Sequence, residues 1–220
     1  MKKRIHILVI SLGCLLLFGG LSQPTYVPPL IQGTASHPEV PDSLQNQIYV
    51  AHEEAICTMR QILKAYNTLK KENPDSLEQA WNKHTVFPKW LGRMEENKLK
   101  PEIVEKRFNI LMDWLENDQI IYKVRLGGFS YCNLLHANAY TSQLTKRKVI
   151  NICPFWFNNR QYQKVSTIIH ELVHKMGYGH PKGTVMPSQA LVLARTAPLK
   201  AAKSPENYEG LAEAYYCYRR

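Results

Sequence analysis

Two histidines with a glutamate beside the first are the residues of this chain best placed to do chemistry. They stand in His170-Glu171-Leu172-Val173-His174. Positions four apart share one face of a helix, so both imidazoles reach a single ion. Zinc accepts nitrogen ligands at ~2.0–2.1 Å and keeps one position for water in catalytic sites. Glu171 then stands where it takes a proton from that water without binding the metal. The chemistry expected is hydrolysis of a peptide bond with one Zn2+ ion, Glu171 as general base and no covalent intermediate. The partner implied is a protein or peptide substrate.

A helix must present these groups, and the flanks supply one. Val165, Ile168, Ile169, Leu172 and Val173 make residues 161–176 apolar nearly all round. Burying unpaired imidazole and carboxyl groups in such a helix is costly, and a metal removes that cost. Lys175 is a charge where this signature usually continues uncharged. Gly177, Gly179, Pro181 and Gly183 end the helix. The last aspartate is Asp118, upstream of the motif, so the third ligand must come from His180, Glu206, Glu209 or Glu213.

The remaining elements follow from periodicity. From Pro41-Asp42-Ser43, apolar residues recur every three or four positions to Leu69, which reads as a long helix ending before Asn73-Pro74. Asp75-Ser76 caps a shorter helix through Trp81, and Pro101 opens a third. Residues 119–126 and 148–157 are β-like, and Ser204-Pro205 starts a last helix reaching about residue 218. The fold class is α+β: a small twisted sheet on the active-site helix, with a helical N-terminal part. The expected division is 1–22 signal peptide, 23–42 proline-rich linker, 43–118 helical part and 119–220 catalytic core.

Three resemblances bear on the third ligand. The run from His170 to His180 fits H-E-x-x-H-x-x-G-x-x-H and resembles the metzincin signature. That resemblance implies a sharp turn at Gly177, His180 as ligand and a Met-turn at Val185-Met186-Pro187. Tyr131-Cys132, Ala139-Tyr140-Thr141, 150–157 and 168–174 are similar to the deuterolysin and lysine-specific metallo-endopeptidase group, the aspzincins. Gly183-Thr184 and Ser204-Pro205-Glu206-Asn207-Tyr208-Glu209 are similar to that group's later segments. Aspzincins take their third ligand from an aspartate two positions after Gly-Thr, and Met186 holds that place here. Glu209-Gly210-Leu211-Ala212-Glu213 is similar to the gluzincin helix whose first glutamate binds zinc. His180 is the expected third ligand, with Glu209 the alternative.

The zincin resemblance also implies substrate binding by strand addition at the sheet edge, and a tyrosine phenol near the developing oxyanion. Tyr178 and Tyr208 are the candidates. His52, His84 and His136 have no partner at ligand spacing and read as structural. Two other functions compete: a zinc-bound binding domain without turnover, and an effector or toxin protease with one target.

The chain has 220 residues and a formal net charge of +10. No Lys/Arg block with interleaved aromatics reads as a nucleic-acid groove. Lys2, Lys3 and Arg4 precede an apolar run too short for a comfortable membrane span, which reads as an export signal cleaved near Ser22. A lipoprotein form at Cys14 and an uncleaved anchor are the alternatives; no stable membrane insertion is expected after cleavage. Export of the rest, to periplasm or medium, leaves Cys57, Cys132, Cys153 and Cys217. An even number in an oxidising compartment suggests two disulfides. Cys132–Cys153 with Cys57–Cys217 is the pairing favoured.

Overall fold

The computed structural model describes residues 26–94, 99–127, 132, 137–142, 147–181 and 186–217. The export segment, His136, Gly183 and Val185 lie outside the described residues.

Helix α1 (Asp42–Glu72) starts directly after Pro41 and stops at Asn73, because a residue preceding proline resists helical backbone angles. Its inward stripe, including Ile48, Ala55, Met59, Ile62 and Tyr66, is buried. Helices α2 (Leu77–Lys83) and α3 (Phe87–Leu91) follow. The Trp81 ring stacks on Phe87 at 4.7 Å, and its indole Nε1 donates to the Gly92 carbonyl at 2.9 Å. Helix α4 (Pro101–Asn117) lies against α1 and buries Val104, Phe108, Leu111 and Leu115.

The sheet has four strands: β1 (Leu30–Gln32), β2 (Ile121–Val124), β3 (Ala139–Thr141) and β4 (Val149–Ile152). Their order is β1-β2-β4-β3. The first two pairings in that order, β1 with β2 and β2 with β4, run parallel, while β3 closes the edge antiparallel to β4, Ala139 opposite Ile152. This helical molecule with a small mixed sheet is the α+β arrangement expected.

Four expectations change. The 23–42 stretch is not linker throughout, because Leu30–Gln32 pairs with Ile121–Lys123 as the outer strand. Its prolines flank this short run without interrupting it. The β-like reading of 148–157 ends at Ile152; Pro154 then opens a helical turn, α5 (Pro154–Phe157), since proline suits a first helical position. The last helix, α9 (Pro205–Ala214), ends before residue 218. Met186 of the expected Met-turn is 59% exposed and precedes helix α7 (Pro187–Thr196), so it is not the buried methionine that such a turn implies. The very short α8 (Pro198–Ala201) connects α7 to α9.

Helix α6 (Gln161–Lys175) carries the motif and packs on α1, β3 and, most extensively, α9. Disulfides join Cys57 in α1 to Cys217 just beyond α9, and Cys132 to Cys153 at the start of α5. Beside the first of these, buried Glu54 of α1 accepts hydrogen bonds from Gln161 at 2.9 Å and Tyr216 at 2.8 Å. The start of α6 and the segment beyond α9 are thereby tied to the first helix.

Candidate metal centre

His170 and His174 project from one face of α6, their ring centroids 4.9 Å apart. After α6 the backbone turns at Gly177, whose φ of 87° lies in the left-handed region that glycine adopts without penalty. The turn brings His180 back, to centroid distances of 5.3 Å from His170 and 4.5 Å from His174. One nitrogen from each of the three rings lies within 4.8 Å of the others.

Every ring has its Nδ1 occupied by an oxygen that can only accept. Glu209 Oε2 takes the His170 Nδ1 at 3.1 Å. The Tyr178 carbonyl takes the His174 Nδ1 at 2.7 Å. Glu206 Oε1 takes the His180 Nδ1, and Glu206 Oε2 is itself held by the Ser204 hydroxyl at 2.6 Å. These acceptors place the proton on Nδ1, leaving each Nε2 with a free lone pair when the ring is neutral. Three convergent imidazole lone pairs match the donor set of a catalytic zinc site, including the outer carboxylates and carbonyls that usually hold its histidines.

Glu171 is buried, and its Oε2 has no hydrogen-bond partner among the described residues. Burial raises its carboxyl to about 7, opposed by the nearby His170 and His180 and by a backbone hydrogen bond from Thr141 in β3. Burial lowers His174 to about 4, aided by His170. His170 is also penalised by burial but is raised overall, through its bond to Glu209 and the surrounding carboxylates. Lys175, the unexpected charge, leaves the cluster and donates to the Ser142 carbonyl at 2.6 Å, pinning the end of α6 to the exit of β3.

Glu209 and Glu206 therefore both stand behind histidines, one turn of α9 apart. Glu213 lies farther along the same helix and accepts from Ser166 at 3.4 Å. The two tyrosines separate. Tyr208 is 1% exposed, packs edge-on against Phe108 and has its phenol pushed well up by burial, so it is a core residue and not a group presented to substrate. Tyr178 is half-buried, with the Arg107 guanidinium 5.0 Å over its ring. His52 and His84 are far from this chemistry: the first hydrogen-bonds the Tyr122 hydroxyl at 2.9 Å, and the second accepts from the Val86 and Phe87 amides. What the sequence reading missed is the pairing of Ser204 and Glu206. Ser204-Pro205 reads as a helix cap, yet no capping bond forms and the hydroxyl serves Glu206 instead.

An α+β fold with an H-E-x-x-H helix under a small mixed sheet defines the zincin class of zinc metallopeptidases. A family profile described as lysine-specific metallo-endopeptidase, the aspzincins, matches residues 76–213. The match spans well over half of the sequence, and the chain belongs to that family of zinc metalloendopeptidases. The fold is also similar to that of a zinc peptidase from Grifola frondosa. That likeness has a TM-score of 0.56 at 15% identity, over 79% of this chain and 96% of the other. No curated protein sequence gives a match.

Proposed function

We propose that His170, His174 and His180 hold one zinc ion and that Glu171 is the general base of an endopeptidase reaction. The observation carrying this reading is the convergence of three imidazole nitrogens within 4.8 Å, each ring braced from behind by its own acceptor. His180 stands in for the aspartate of other family members, whose place holds the exposed Met186. When bound, zinc polarises the scissile carbonyl and lowers the pKa of a water. Glu171, whose buried Oε2 has no partner among the described residues, would take that water's proton and return it to the leaving amine. The strand β3, at the sheet's edge among the described residues, lies over Glu171 and is where an extended substrate would pair. Tyr178 is the tyrosine available to steady the developing oxyanion.

We assign the protein to an exported setting, since two disulfides join cysteines distant in sequence. No described helix is long and apolar enough to cross a membrane.

Peptide release by the wild type, set beside Glu171→Gln, tests the reading. The variant is expected to keep its zinc and lose about a thousandfold in rate. His180→Ala is expected to purify without zinc. Equal rates for wild type and Glu171→Gln would sink the assignment of the base, and full zinc retention in His180→Ala would return the third-ligand role to Glu209.

A further inference from the structure

A cavity of about 620 Å3 opens beside the histidine cluster. One wall is the turn from Gly177 to Pro181, and the opposite side is built by Leu193 of α7 with Lys200 and Lys203. The cavity shares its wall with the metal centre. Tyr178 is part of its lining and anchors His174 with its carbonyl, and Gly179 and Pro181 line it on either side of His180. The cavity therefore adjoins the turn that carries His180.

The chemistry of the lining is lopsided. Lys200 and Lys203 are exposed, and neither has a carboxylate partner among the described residues. Arg107 adds a third positive charge behind the Tyr178 ring. No acidic residue is part of the described lining. Glu206, three residues past Lys203, is already engaged by His180 and Ser204. Pro181, Leu193 and Tyr178 offer apolar surface to an aliphatic stem. A side-chain carbon added at Gly177 or Gly179 would meet none of the described residues within 4 Å, so among them this wall is backbone with room in front of it.

We propose that this cavity is a specificity pocket for an acidic residue of the substrate, its carboxylate meeting Lys200 and Lys203. The proposal rests on the endopeptidase reading above and names the substrate class for that site. A lysine side chain, the preference contained in the family's description, would meet two like charges here.

Binding to zinc-loaded Glu171→Gln protein tests it, because that variant holds peptides uncut. The probes are dye-labelled peptides identical except for Glu, Gln or Lys, stepped through each position in turn. At one position Glu is expected to bind roughly tenfold tighter than Gln, with Lys weakest. Adding Lys200→Glu and Lys203→Glu, both at exposed positions, is expected to reverse that order while leaving the melting temperature in place. Equal binding of the three peptides at every position, no binding of any, or an order unchanged by the charge reversal would overturn the pocket. Wild-type cleavage of the same peptides keeps the two readings apart. Ordered binding without cleavage sinks the hydrolytic reading alone, and cleavage without ordered binding sinks the pocket alone.

Discussion

Each histidine of the cluster has a dedicated oxygen fixing its ring, and two of the three are carboxylates. A carboxylate behind an imidazole fixes its tautomer and raises its basicity as a ligand. In the proposed site, His180 would replace an anionic ligand with a neutral one. Glu206, buried and bonded to His180, restores a negative charge one atom group farther out. Glu206→Gln keeps the shape and removes the charge, and is expected to weaken zinc binding about tenfold. Competition with a chromogenic chelator measures this. Glu213→Gln, on the same helix but behind no histidine, is the control expected to bind as the wild type does.

At the scale of elements, the site is a joint between α6 and α9. Helix α6 brings His170, Glu171 and His174; α9 brings Glu206 and Glu209 behind the rings. The distance between them depends on the back of α9, where Gly210 faces the Trp90 ring of α3. A side-chain carbon at Gly210 would stand 2.2 Å from that ring. Gly210→Ala must therefore push α9 or α3 away, at a cost of about 1–3 kcal/mol. It is expected to lower both the melting temperature and the zinc affinity, although Gly210 touches no ligand. Unfolding scans at fixed zinc, read with the same chelator competition, check both effects.

What was legible at this scale follows the range of the interactions. Helix α6 and its two histidines are local, written in apolar spacing and in a five-residue motif. The long helices α1 and α4 announce themselves through their stripes and their prolines. The third ligand was open between His180 and Glu209, because choosing requires the path of the turn and the position of α9. Ser204 and Glu206 were opaque for the same reason: the side chain they serve is far back in sequence. Strand β1 has only three residues among prolines, and nothing nearby reveals that it pairs with the distant Ile121–Lys123. Helix α3 is a single turn, too short for periodicity to show.

For the molecule as a whole, the buried histidine outside the site governs acid sensitivity. His52 is fully buried in α1, and burial lowers it to about 4 from 6.5, with Glu53 opposing. The unfolded chain takes up this proton first, between pH 6.5 and about 4, so the unfolded state binds more protons in that window. Stability is therefore unaffected by this group above 6.5 and falls as the pH drops, by up to about 3 kcal/mol. His84, lowered by burial as well, acts with the same sign. Denaturant unfolding at a series of pH values is expected to show a shallower acid loss for His52→Gln than for the wild type.

The three donors are not mounted alike. Two sit on a helix braced by α1, α9 and the sheet, while the third rides a turn where a side chain added at either glycine would meet no described residue. An ion held by these three nitrogens as proposed would have one cheap first step in leaving, the swing of His180 outward, and would enter in reverse. The rate of metal exchange would then depend on the stiffness of the turn from Gly177 to Gly179.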